Sequence, residues 1–249
     1  MRRLASLMLI AALALSAGCS KKAVKPEEEV TLEEQFARAN SLLEDKRYDE
    51  ARARFEEVKM RDSGMAYAPL AQLRVADSYI RQGEPELAIA EYRHFLESYP
   101  THRYASYAQY QIAITYYGQI DSHDRSLESA RLALAEFERL NRLYPRNPYR
   151  DTVAFNIQRT RDILADHEFM VGEFYFRKGS YEGALGRLLP ILSDYPGYAG
   201  TPRVLGRIAE SYKGLGKDDE AMKYLGVLER QYPESDALKD ARRTLSRNP

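Results

Sequence analysis

The chain has 249 residues, 44% of them hydrophobic and 30% charged, and its formal net charge at pH 7 is zero. That length bounds it to one large domain or two small ones, and the charge balance excludes the basic footprint of a nucleic-acid binder. The single cysteine, Cys19, excludes an intramolecular disulfide and a multi-cysteine metal site, while 19 Tyr and no Trp suit helix-repeat packing or an adhesive groove.

The N-terminus reads as an address. Met1-Arg2-Arg3 is a short basic region, and residues 4–15 (L-A-S-L-M-L-I-A-A-L-A-L) are apolar but too few to span a bilayer stably. Ser16-Ala17-Gly18-Cys19 then resembles the lipobox of bacterial lipoproteins, with Ser16 where that motif usually carries Leu and Leu15 one place earlier. The resemblance implies that residues 1–18 are a leader. It also implies S-diacylglycerol and N-acyl lipid on Cys19, with no other cofactor, and insertion of that lipid in a bilayer. Several acyl chains anchor stably where one does not. Ser20 is compatible with export to the outer membrane. Residues 19–30 are charged and proline-containing, so they form a flexible tether. About ten residues of coil span roughly 17 Å, which keeps the folded body near the membrane surface.

From Thr31 onward the apolar spacing follows 3, 4 and 7, which predicts an all-α body. Small residues recur at Ala39, Ala76 and Ala113, and again at Gly172 and Ala209, at an interval of 37. A second set follows at Ala51, Ala88, Ala133, Ala184 and Ala221, and four places after each stands Phe55, Tyr92, Phe137, Leu188 or Leu225. Tyr-Pro closes four of the copies, at Pro100, Pro145, Pro196 and Pro233, and the first has Ser63 instead. Turn signals lie at Lys46-Arg47, at Gly83, at Gly179 and at residues 214–218. This is the pattern of a tetratricopeptide (TPR) array, a superhelix of five helical hairpins.

The interval widens between copies three and four. Part of the surplus enlarges the hairpin turn at residues 118–126, and the rest, residues 151–165, predicts an inserted helix that continues into the first helix of copy four as one rod. Residues 31–148 are then an N-terminal half of three repeats, and residues 149–249 a linker helix with a C-terminal half of two.

The run L-A-D-H-E-F-M-V-G-E-F-Y-F-R-K-G-S-Y-E-G-A-L-G-R at residues 164–187 resembles the signature of BamD-type lipoproteins, the TPR subunit of the outer-membrane β-barrel assembly machine. Asp124-Arg125-Ser126 in the enlarged turn, and Tyr144-Pro145 followed by Tyr149, are similar to that family too. The resemblance implies a non-enzymatic, periplasm-facing scaffold. Its C-terminal repeats would dock the POTRA domains of the barrel insertase, its N-terminal repeats would receive unfolded outer-membrane proteins, and other assembly-machine lipoproteins could join. Where the family places an insertase-contacting Arg, this chain has Pro202 with Arg203 beside it. A TPR lipoprotein for pilus or secretin assembly, or for division-linked wall remodelling, is the alternative.

Projecting the repeat phase places first-helix residues on the partner face. They are Phe36, Asn40 and Leu43 in copy one, Leu73, Asp77 and Arg81 in copy two, and Tyr107, Tyr110 and Tyr117 in copy three. Copy four contributes Phe169, Glu173 and Phe176; Arg203, Glu210 and Lys213 are the insertase-docking candidates. Aromatic rings with amide and charge at hand suit an extended peptide. The four histidines form no metal spacing, and His167-Glu168, being adjacent on a helix, point about 100° apart and do not make a catalytic dyad.

Overall fold

The computed structural model describes residues 30–120 and 127–246. The leader at 1–18, Cys19, the tether up to residue 29, and most of the enlarged turn with Asp124-Arg125-Ser126 lie outside the described residues. The described residues form eleven helices and no strand: α1 (Leu32–Glu44), α2 (Tyr48–Arg61), α3 (Ala68–Gln82), α4 (Pro85–Ser98), α5 (Ala105–Gly118), α6 (Glu128–Leu143), α7 (Arg150–Arg177), α8 (Tyr181–Asp194), α9 (Thr201–Gly214), α10 (Asp218–Gln231) and α11 (Asp236–Leu245). Each packs on its sequence neighbours, and α1 also meets α3, as α7 meets α9 and α9 meets α11. No helix among the described residues is long and apolar enough to cross a membrane.

Local chemistry sets the ends of the helices. Thr31 and Glu34 form a reciprocal capping box that starts α1, with Glu34 N donating to Thr31 Oγ1 at 3.2 Å. The turns within the pairs use a left-handed residue at Gly83 (φ 85°), Gly179 (φ 72°) and Gly216 (φ 69°), and the first turn uses Lys46 (φ 62°). The tyrosine before each proline leaves the helical region, because Pro disfavours helical backbone at the preceding residue; Tyr99, Tyr144, Tyr195 and Tyr232 have ψ of 55°, 64°, 64° and 56°. The first pair lacks Tyr-Pro and is closed by Asp62, whose Oδ2 accepts from the backbone N–H of Tyr67 at 2.6 Å and of Ala68 at 2.7 Å.

The repeated small residues are the contact points. Ala39, Ala76, Ala113 and Ala209 are fully buried, and so are Ala51, Ala88, Ala133 and Ala184 on the second helices. Phe55, Tyr92, Phe137 and Leu188 fill the space they leave. Burying each such side chain stabilises the stack by about 1.5–3 kcal/mol. Gly172 takes the place of alanine in the fourth pair because a Cβ there would lie 2.7 Å from Leu188 Cδ2. Leu43, expected on the partner face, is 1% exposed and belongs to the first pair's core with Phe55 and Val58, on the side of α1 that meets α2.

Two features reorganise the C-terminal half. The inserted residues are not a separate helix: α7 runs unbroken for 28 residues, with Val153 in the core of the third pair and Ala165 in that of the fourth. The eleventh helix was not anticipated from the repeat pattern. It buries Leu238 and Ala241 against Leu205, Leu225 and Leu228, and so covers the apolar end of the stack. It passes close to Gly206, where the Ala237 carbonyl lies 3.4 Å from the place of a Cβ, an ordinary contact distance.

Candidate functional site

Two hollows open along the first helices of the pairs. The N-terminal one, about 340 Å³, is lined by Phe36, Leu70, Leu73, Arg74, Asp77, Tyr104, Tyr107 and Tyr149. Four of the expected residues, Phe36, Leu73, Asp77 and Tyr107, therefore meet in one place, contributed by α1, α3 and α5. Phe36 is held edge-on to Phe55 and tilted against Tyr67, each at 5.6 Å between centroids.

A buried carboxylate organises the floor. Asp77 Oδ1 accepts from the Tyr92 hydroxyl at 2.6 Å and from the Tyr107 hydroxyl at 2.8 Å, and its Oδ2 accepts from Arg74 Nη1 at 3.0 Å. Burial, and then the Asp77 charge, push the Tyr92 phenol far up and the Tyr107 phenol up to about 12, so both stay protonated donors. Asp77 is thereby fully engaged within the protein. Arg74, with 44% of its side chain exposed, keeps free guanidinium donors facing the hollow. The chemistry on offer is an aromatic cleft with one accessible cation at its edge.

The other expected residues of this half lie elsewhere. Asn40 donates from Nδ2 to the Phe36 carbonyl at 3.0 Å within its own helix. Tyr110 stacks on Tyr149 at 4.2 Å between centroids and 12° between planes, which props Tyr149 as a wall of the hollow. Tyr117 lies edge-on to Phe137 and packs against the core of the third pair. Arg81 pairs with Glu44 at 2.8 Å on the surface.

The C-terminal hollow, about 310 Å³, is lined by Phe169, Glu173, Arg203, Gly206, Arg207, Glu210, Ala237 and Asp240. Arg207 bridges helices by pairing with Glu173 on α7 and Glu210 on its own α9, and its guanidinium lies 4.3 Å from the centre of the Phe176 ring. Arg203 sits 5.0 Å over Phe169 and donates to Asp166 Oδ1 and the Tyr198 hydroxyl, each at 3.3 Å. Burial and the bond to Asp166 push the Tyr198 phenol up. Arg203 is exposed and available to a partner. Glu210, expected as a docking residue, is 8% exposed with its carboxylate taken by Arg207. Lys213 does not line this hollow and pairs with Asp218 at 3.0 Å. His167 Nδ1 lies 3.9 Å from Glu168 Oε1, beyond hydrogen-bond reach, and finds no hydrogen-bond partner among the described residues, while Glu168 accepts from Arg187 at 3.3 Å.

Several residues escaped the sequence reading. Tyr104 and Tyr149 reach the N-terminal hollow from connections, outside the repeat phase that was projected. A detectable signal did exist in the glutamines Gln35, Gln72 and Gln109, which share the interval of 37. Gln72 and Gln109 are buried and donate across their pairs to Glu91 and Glu136, the latter at 2.7 Å. In the fourth pair the same two positions hold Glu168 and Arg187, and the hydrogen bond becomes an ion pair.

Comparison with known proteins places the chain among envelope lipoproteins. A family profile described as "YfiO: Outer membrane lipoprotein" matches residues 28–225. The chain is 28% identical over 233 residues to the outer membrane protein assembly factor BamD of Rickettsia prowazekii, a match covering 94% of this chain and 92% of that protein. It is 28% identical over 235 residues to the BamD of Caulobacter vibrioides, covering 93% and 77%. It is also similar to the solved TPR2AB-domain:pHSP90 complex of yeast Sti1, at 14% identity and a TM-score of 0.44 over 86% of this chain and 82% of that one.

Proposed function

The chain belongs to the YfiO family of outer membrane lipoproteins, and on that premise we propose that it is an outer membrane protein assembly factor of the BamD type. It works as a non-enzymatic scaffold, held by lipid on Cys19 and facing the periplasm. The N-terminal hollow receives aromatic segments of unfolded outer-membrane proteins. The C-terminal hollow, with Arg203 at its mouth, docks the barrel insertase through its POTRA domains.

The observation that carries this reading is the chemical contrast between the two hollows. One is walled by Phe36, Tyr104, Tyr107 and Tyr149 with one half-exposed cation, Arg74, which fits an extended apolar and aromatic chain. The other presents Arg203 and Arg207 stacked on rings amid carboxylates, which fits a folded, polar partner. Helix α7 adds Val153 to the core of the third pair and Ala165 to that of the fourth, so it holds the two halves at a set spacing. Purification of the chain from gently solubilised envelopes of its own bacterium recovers the insertase, and Arg203→Glu weakens that recovery. Depletion lowers β-barrel proteins in general. Absence of the insertase from the purified material, or loss of only one class of envelope protein on depletion, overturns the proposal.

A further inference from the structure

Residues 139–150 read R-L-N-R-L-Y-P-R-N-P-Y-R. Four arginines and no acidic residue fall in this stretch, in a chain whose formal net charge is zero. It runs from the last turn of α6, through the turn after it, to the first residue of α7.

Arg139, Arg142, Arg146 and Arg150 are all exposed. Arg139 and Arg142 lie one turn apart on the side of α6 away from the buried Phe137 and Leu140. The nearby acids are already engaged: Glu136 accepts from Arg93 at 3.1 Å and Glu138 from Arg161 at 2.7 Å. None of the four arginines forms an ion pair among the described residues. Arg150 is also the first residue of a helix, where the macrodipole disfavours a cation. Asp151, next to it, suits that helix end and offsets part of the cost. Asp151 offsets only part of the cost of gathering these charges, which points to a partner outside the fold.

The identity of the side chains narrows that partner. All four cations are Arg, whose planar fork binds phosphate oxygens bidentately and sheds water more readily than Lys. Leu143, 51% exposed, and Pro145 and Pro148, also exposed, put apolar surface among the guanidiniums. Arginines of one sign with apolar side chains among them match an anionic lipid surface, which attracts basic clusters and admits apolar groups. The family is one of outer membrane lipoproteins, so a leaflet is at hand. We infer that residues 139–150 form a contact surface for the headgroup phosphates of anionic phospholipids, which orients the helical stack on the membrane that carries it. None of the four arginines lines either hollow.

The test is sedimentation with vesicles of the chain from residue 19 carrying Cys19→Ser, so that no lipid anchor contributes. It binds phosphatidylethanolamine–phosphatidylglycerol vesicles and not phosphatidylcholine vesicles, and added salt weakens the binding. Changing Arg139, Arg142, Arg146 and Arg150 together to Gln lowers the partition coefficient at least about tenfold, and each single change lowers it by a smaller factor. A control of equal charge, with Arg177, Lys217, Lys223 and Arg230 changed to Gln, keeps the binding. Equal affinity for the two vesicle types overturns the inference, as does an equal loss in the control. Capture of an acidic peptide by the four arginines without vesicle binding overturns it as well.

Discussion

The phenol of Tyr92 on α4 donates a 2.6 Å hydrogen bond to Oδ1 of Asp77 on α3, where the tyrosine side chain is wholly buried. Tyr107 from the next pair joins the same oxygen, so one carboxylate ties two hairpins together and shapes the floor of the N-terminal hollow. Asp77→Ala leaves the buried Tyr92 phenol and the half-buried Tyr107 phenol without their acceptor and costs about 2–5 kcal/mol. Tyr92→Phe removes one donor and leaves the carboxylate two others, so it costs about 1 kcal/mol. Urea unfolding curves rank the two variants, and an equal or reversed ranking contradicts the shared-acceptor account.

Gly172 and Leu188 set the closest approach of α7 and α8. A methyl group at 172 would sit 2.7 Å from Leu188 Cδ2 and 2.8 Å from its Cγ. Gly172→Ala therefore destabilises by about 1–3 kcal/mol despite its better helix propensity. Adding Leu188→Ala makes room, so the double variant is more stable than the sum of the two single losses predicts. A thermodynamic cycle from chemical denaturation measures the coupling, and additivity within error refutes the contact.

Lys46 adopts φ 62° where the later turns use Gly83, Gly179 and Gly216. A side chain in that region is strained, and glycine relieves the strain at some cost in unfolded-state entropy, so Lys46→Gly stabilises by about 0.5–1 kcal/mol. Gly83→Ala, the opposite change at the matching turn, destabilises. Thermal melts of the pair at one pH decide the sign.

Asp62 makes the first inter-pair connection sensitive to acid. Burial pushes its carboxyl up, but backbone N–H bonds from Ala68, Tyr67, Ala66 and Gly64 together outweigh it and hold the group below its ordinary range. A folded-state value lowered in this way adds stability that is complete above the unfolded value near 3.8 and is lost as pH falls through the folded value. Asp62→Asn is therefore less stable than the parent at neutral pH, and the gap closes as pH drops below that window. Melting temperatures against pH for the two proteins trace the effect, and a gap unchanged down to pH about 2 rules it out.

The repeat phase was legible residue by residue because a helical pair has few ways to bury its stripe. Alanine and glycine at fixed intervals permit close helices, the residue four places later fills the gap, and Tyr-Pro ends the second helix. Those requirements are local, so the sequence by itself determined the all-helical class and the buried small residues that the pairs share. The family signature around residues 164–187 was legible for the same reason: it lies within one such unit.

The site was legible only in part. Phase placed Phe36, Leu73, Asp77 and Tyr107 on one face, and they do meet in one hollow. Phase also placed Leu43 there, although it is buried against Phe55, and offered Glu210 to a partner although Arg207 occupies it. Which polar groups remain free depends on partners far away in the chain: Tyr92 and Tyr107 saturate Asp77 and leave Arg74 exposed, and Arg207 joins Glu173 to Glu210. The cap formed by α11 and the wall supplied by Tyr149 also come from outside the repeats. The tertiary structure alone decided these, because hydrogen bonding and charge pairing depend on which helices come together, whereas helix formation depends on neighbours a few residues away.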